Sequence, residues 1–150
     1  MAAVKPIPDG YHTVTPYLVV KGAHNLITFL KQAFDAKVLV KMNRDNGDVM
    51  HAEISIGDSR IMLSDASDQF PPTIVNIFLY VPDADITYRS AIDAGGISSM
   101  ELADQYYGDR MGGVKDKFGN QWWIGTHIED VSPEEMQRRQ KAMGQQQASQ

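Results

Sequence analysis

Thr15-Pro16-Tyr17-Leu18-Val19-Val20 and, sixty-one residues later, Asn76-Ile77-Phe78-Leu79-Tyr80-Val81 are the stretches on which the fold turns. Each is a short run of β-branched and aromatic residues in which apolar positions alternate, the pattern of a strand with one face packed. The same offset carries Ala23–Ala33 onto Ala84–Ala94, Asp58-Ser59 onto Gly119-Asn120, and Ile61–Leu63 onto Trp122–Ile124. Strand, helix, turn and strand recur in one order at one spacing. The chain is therefore read as a duplication of an α+β unit, two tandem βαβββ modules.

Composition narrows what such a chain can do. Its 150 residues suit one compact domain or two half-size modules sharing a core. A net charge of −5 leaves no basic face for nucleic acid. The short run Arg138-Arg139-Gln140-Lys141 follows Glu134-Glu135 and reads as a solvated helix face. With no cysteine there is no disulfide, thiolate metal ligand or cysteine nucleophile. The opening Met1–Gly10 has no apolar signal core, and no window approaches a spanning helix, so a soluble, cytoplasmic protein without a membrane partner is expected.

Around the repeat, residues 1–12 read as an N-terminal arm, and Pro16 places the first strand at a sheet edge or begins it. Leu26, Phe29, Leu30, Ala33 and Phe34 share one helical face. Asn46-Gly47 is the strongest hairpin signal in the chain, and Gly57-Asp58-Ser59 a second turn. Ser64–Thr73 separates the modules, which span about 13–67 and 74–130. In the second module the stretch from Gly96 to Met111 is expected to be irregular, with strands at Gly112–Lys115 and Gln121–Thr126. Ser132-Pro133-Glu134-Glu135 is a capping box that starts a C-terminal helix, expected to end near Met143 before a frayed tail.

These features resemble the vicinal oxygen chelate superfamily of glyoxalases, extradiol dioxygenases and bleomycin-resistance proteins. More narrowly, Val14–Leu18, Met50-His51-Ala52-Glu53, Asp104–Arg110 (DQYYGDR), Asp116-Lys117-Phe118-Gly119-Asn120 and Thr126–Asp130 with the capping box are similar to its PhnB-like subfamily, over about residues 13–141. The resemblance implies a curved, incomplete barrel with helices outside and a ligand cavity inside, and a homodimer that buries exposed strand edges. It also implies four metal-ligand positions, which fall here on Thr15, Met62, Asn76 and Trp123. None of these is His, Asp or Glu, and hard divalent ions need carboxylate or imidazole donors. No metal is expected at the usual positions. PhnB-like sequences sometimes carry a demethylubiquinone methyltransferase label, but no Gly-rich strand-to-helix loop of a dinucleotide or S-adenosylmethionine fold is present.

Strand alternation gives an independent map of the cavity. If Ala52, Ile54 and Ile56 face the helices, then His51, Glu53 and Ser55 face inward. The same parity points Tyr17, Asn76, Phe78, Tyr80, Met62 and Trp123 inward and Leu18, Ile77, Leu79, Ile61, Leu63, Trp122 and Ile124 outward. Gln105 and Tyr107 fall where the second module's hairpin approaches the cavity mouth. An aromatic wall with few polar groups suits a small amphipathic or aromatic ligand, and these eight residues from Tyr17 to Trp123 are the expected ligand contacts. His51 and Glu53 are the candidate acid/base pair. Asp109 and Arg110 are expected to brace loops, while His12 lies on the arm, His24 on a helix surface and His127 at a strand exit. Three functions remain open: a small-molecule-binding protein; a lyase or dioxygenase-type enzyme using a displaced divalent metal held in part by His51 and Glu53; and a dimeric interaction module with an inert cavity.

Overall fold

The computed structural model describes residues 3–148. In the first module, strand β1 (Tyr17–Val20), helix α1 (Ala23–Phe34) and strands β2 (Lys37–Asn43), β3 (Val49–Ile56) and β4 (Ser59–Asp65) follow one another. The second repeats the order with β5 (Asn76–Tyr80), α2 (Ala84–Asp93), β6 (Ile97–Asp104), β7 (Asp109–Lys115) and β8 (Gln121–His127). A last helix, α3, spans Pro133–Ala148. Each module is a mixed four-stranded sheet, ordered β1-β4-β3-β2 and β5-β8-β7-β6, and the two sheets do not join into a closed barrel. Both β1 and β5 pair in parallel with the last strand of their own module, an arrangement made possible by the intervening helix crossover.

The repeat extends to the helix caps. Gly22 N and Ala23 N, at the start of α1, both donate to Asp65 Oδ1 at 2.8 Å, and Ala84 N, at the start of α2, donates to Thr126 Oγ1 at 2.8 Å. Asp65 and Thr126 stand one repeat apart, so in each module the last strand caps the helix by an equivalent side chain. Burial raises the affinity of the Asp65 carboxyl for its proton, but the backbone N–H groups of Ala23, Gly22 and Val49 overrule it and hold the group below the usual carboxylate range.

The core is shared. Leu18, Leu26, Leu30, Ile54, Leu63, Val114, Trp122 and Ile124 are fully buried, and α1 packs on α2 across the module boundary. Trp122 of β8 meets Phe34 of α1 with ring centroids 5.1 Å apart and donates from Nε1 to Asp116 Oδ2 at 2.9 Å. This packing fixes the helix side of both sheets and leaves their other faces open.

Two expectations are corrected. The stretch after Gly96 is not irregular, since Ile97–Asp104 forms β6 and pairs with a β7 that begins at Asp109. Register shifts between Ser98 and Met100 and again between Met100 and Ala103 break the alternation that a strand otherwise displays. The C-terminal helix does not stop at Met143 but continues through Gly144 to Ala148. Its start is as expected, with Glu135 N donating to Ser132 Oγ at 3.2 Å. Part of the arm, residues 1 and 2, and part of the tail, residues 149 and 150, lie outside the described residues. No helix among the described residues is long and apolar enough to cross a membrane.

Candidate functional site

The parity map holds on both sheets. Leu18, Val20, Ala52, Ile54, Ile61 and Leu63 are buried under α1, while Tyr17, His51, Glu53 and Met62 lie on the opposite, open face. Register places Tyr17, Met62 and Glu53 in one row across β1, β4 and β3. Around that row runs a chain of polar contacts. Tyr17 Oη is 3.4 Å from His51 Nδ1, His51 Nε2 is 3.4 Å from Glu53 Oε2, and Tyr11 donates its hydroxyl proton to Glu53 Oε1. Burial and the bond to Glu53 raise the Tyr11 pKa, keeping it a phenol. Tyr11 is held there by Arg60, whose guanidinium sits 5.1 Å over its ring and donates to Asp9 O at 3.2 Å. The arm is thus folded back onto the first sheet, which no local sequence pattern announces.

On the second sheet the open face is aromatic. Phe78 and Tyr80 of β5 have ring centroids 4.7 Å apart, and Trp123, opposite Phe78 on β8, donates from Nε1 to Asn76 Oδ1 at 3.3 Å. Phe78 and Trp123 come close over the sheet because the strand residues beneath them are glycines. A Cβ on Gly125 would stand 2.8 Å from Phe78 Cζ, and one on Gly113 would stand 2.8 Å from Trp123 Cζ3, both inside van der Waals contact. The result is an aromatic platform of Phe78, Tyr80 and Trp123, the Phe78 and Tyr80 rings inclined at 44° to each other and Tyr80, the last residue of edge strand β5, 66 % exposed.

At one end of the platform Tyr80 Oη donates to Asp109 Oδ2 at 2.8 Å, and His127 Nδ1 lies 2.8 Å from Asp109 Oδ1. Asp109 is buried. His127 Nε2 lies 2.7 Å from Asp130 Oδ1, and the bonds to Asp130 and Asp109 raise the His127 pKa. The bond to Asp109 likewise raises that of Tyr80. Asp109 was expected only to brace a loop; its place on the open face follows from β7 beginning at Asp109, where the sequence shows no strand.

Of the other expected contacts, Tyr107 borders the platform, since its partner Met111 stands opposite Gly125 on the same face, while Gln105 bonds within its own hairpin. Gln105 lies in the β6–β7 turn and donates to Ala103 O at 3.4 Å, and Tyr107 donates to Met111 Sδ at 2.7 Å. Arg110 points to the other side of β7, where it forms a two-pronged pair with Asp85 at 2.9 Å and a third bond to Asp104, the bracing expected of it. The His51/Glu53 cluster and the aromatic platform lie on different sheets, the first on β1-β4-β3-β2 and the second on β5-β8-β7-β6. An apolar pocket of about 270 Å³ is lined by both modules, with Tyr11 of the arm, Thr15, Arg60 and Ile61 of β4, Phe78 of β5 and Trp122 of β8; His51 and Glu53 do not line it, but Tyr11 bonds Glu53.

The four positions implied for a divalent metal carry a hydroxyl, a thioether, an amide and an indole, a donor set that does not fit such an ion. Register pairs Tyr17 with Met62 and Phe78 with Trp123, and these pairs offer no better donors. Among the described residues no group of three His, Asp or Glu side chains is arranged to hold a metal, so His51 and Glu53 have no third partner of that kind.

Residues 11–124 match the model of the Glyoxalase/Bleomycin resistance protein/Dioxygenase superfamily, and the chain belongs to that superfamily. Among its relatives, an uncharacterised protein of Mycobacterium tuberculosis strain H37Rv is 33% identical over 142 residues, covering 87% of this chain and 84% of the relative. TioX from Micromonospora sp. ML1 shares the fold at a TM-score of 0.67 and 20% identity, over 78% of this chain and 99% of TioX. A PhnB protein from Bacillus cereus is similar at a TM-score of 0.58 and 17% identity, over 77% of this chain and 99% of that one. The fosfomycin resistance protein FosX from Mesorhizobium loti is similar at 0.58 and 14% identity, over 77% and 91%.

Proposed function

We propose that this protein binds a small amphipathic or aromatic molecule on the open face of its second module, without a divalent metal at the usual superfamily positions. The observation that carries this reading is the platform itself. Three aromatic side chains share one face, Phe78 and Trp123 close over glycines at positions 125 and 113 and Tyr80 standing beside Phe78, and are left open to solvent, a costly use of apolar area unless something covers it. Phe78, Tyr80 and Trp123 supply stacking area, Asn76 a polar edge. Tyr17 and Met62 offer a matching apolar patch on the first module.

The covering partner includes a second copy of the chain. Tyr17, Val40, Met42, Phe78 and Tyr80 are all at least 40 % exposed on one chain, and association of two chains would bury such faces around a ligand. Sedimentation at micromolar concentration is expected to show a homodimer; a monomer would contradict that part. Tryptophan fluorescence titrated with planar aromatic fragments tests the binding face: quenching in the native protein, lost in Trp123→Ala, is expected, and quenching unchanged by that substitution would sink the reading.

A second reading, an enzyme using His51 and Glu53 for proton transfer or as part of a displaced metal site, draws on the Tyr11–Glu53–His51–Tyr17 chain of contacts. Stoichiometric Ni, Zn, Mn or Fe in untagged protein, lost on Glu53→Ala, would favour it over the metal-free one.

A further inference from the structure

We propose that the Tyr80 end of the aromatic platform is a subsite for a protonated amine, so that the ligand class is a planar aromatic cation rather than a neutral or anionic aromatic. The inference rests on the binding face proposed above and assigns its chemical preference.

The argument is one of proton inventory. A buried carboxylate only accepts hydrogen bonds, and both oxygens of Asp109 are engaged, Oδ2 by Tyr80 and Oδ1 by His127. Tyr80 has one hydroxyl proton, and it is committed inward to Asp109. Its oxygen therefore presents only lone pairs to the open side, where the residue is 66 % exposed. A ligand group meeting that oxygen must donate. A carboxylate or carbonyl there would face lone pairs with lone pairs.

Charge points the same way. Both nitrogens of the His127 ring face carboxylates, Asp109 at 2.8 Å and Asp130 at 2.7 Å, so the ring holds two protons and one positive charge. Two carboxylates against one imidazolium leave the cluster net negative. The guanidinium of Arg110, next to Asp109 in sequence, is turned to the opposite side of β7 and is already paired with Asp85 and Asp104, so it offers nothing to an anion on the open face. The exposed faces of Tyr80 and Phe78, 4.7 Å apart, add the negative ring faces that attract a cation. The other end of the platform has the opposite polarity. Trp123 Nε1 can only donate, which commits Asn76 Oδ1 to it and leaves the Asn76 amide protons free to meet an acceptor.

Isothermal titration calorimetry with 2-naphthylmethylamine and 2-naphthoate, which share one ring system and differ in the charged group, tests this at neutral pH. The native protein is expected to favour the amine by about tenfold or more, and Tyr80→Phe to weaken the amine by about tenfold while leaving the naphthoate unweakened. In Asp109→Asn the amide oxygen serves His127 and the amide NH₂ donates to Tyr80 Oη, which frees the Tyr80 proton for the ligand. The preference for the amine should then shrink or reverse. Equal binding of the two probes, preference for the naphthoate, or equal weakening of both by Tyr80→Phe would overturn the inference and leave the binding face standing. Failure of the native protein to bind either probe would overturn both. If Asp109→Asn does not fold, the Tyr80→Phe comparison decides alone.

Discussion

Trp122 and Trp123 are neighbours in sequence and opposites in the structure, and replacing each by alanine separates the core from the site. Trp122 is fully buried, packs against Phe34 across the module boundary, and donates to Asp116 Oδ2 at 2.9 Å. Its truncation removes a large core side chain, at a cost of about 3–5 kcal/mol. It also leaves Asp116 Oδ2 with one remaining donor, Asn120 Nδ2 at 3.1 Å, which adds up to about 1 kcal/mol. With a urea slope of about 2 kcal/mol/M for a domain of this size, the midpoint should fall by about 2 M. Trp122→Phe keeps most of the volume and loses the N–H, so about 1–2 kcal/mol is expected. Trp123 is only half buried, rests on Gly113, and has one long hydrogen bond to Asn76, so Trp123→Ala should cost about 1 kcal/mol or less in stability. Equilibrium urea unfolding followed by far-UV circular dichroism measures all three. A benign Trp122→Ala beside an unfolded Trp123→Ala would reverse the faces of β8 and remove the basis for every site residue assigned by its register.

Three further outcomes follow from particular contacts. Gly125→Ala places a methyl group 2.8 Å from Phe78 Cζ, so Phe78 must lift off the sheet; fragment binding should fall about tenfold or more with a stability loss of about 1–3 kcal/mol, and unchanged binding would mean the flat ring is not needed. Asp65→Asn keeps the shape but replaces one accepting oxygen by a donor facing backbone N–H groups of Gly22 and Ala23 or of Val49, and about 2–3 kcal/mol should be lost in urea unfolding. The Asp65 pKa is lowered on folding, so its stabilisation is present above the ordinary carboxylate pKa and disappears as pH falls through the folded value; native stability should drop more steeply in acid than that of Asp65→Asn, and parallel acid profiles would refute this.

Much of this architecture is legible in the residues. The repeat gave strand, helix and strand their places because β-branched alternation and a helical apolar face are local signals, and parity then sorted Trp122 from Trp123 and Ala52 from Glu53 without any three-dimensional information. What stayed hidden depends on contacts between distant parts of the chain or on broken patterns. Strand β6 was missed because two register shifts spoil its alternation. Tyr11 reaches Glu53 across 42 residues of sequence, and nothing local to either marks the pair. Asp109 and His127 come together only because β7 and β8 are adjacent in that register. The close seating of Phe78 and Trp123 had a visible signal that alternation alone does not weigh: Gly113 and Gly125 inside strands, each marking a place where another group comes close.

The claim at the centre of this account is that the open face of the second module is a binding site for planar aromatic molecules. Saturation-transfer NMR on the native protein and on Trp123→Ala, with a panel of planar aromatic and saturated fragments of equal size, tests it most directly. Aromatic fragments alone should receive saturation from the native protein, and Trp123→Ala, still folded, should lose that transfer. Transfer to no aromatic fragment, equal transfer to the saturated ones, or transfer undiminished in Trp123→Ala would contradict the claim.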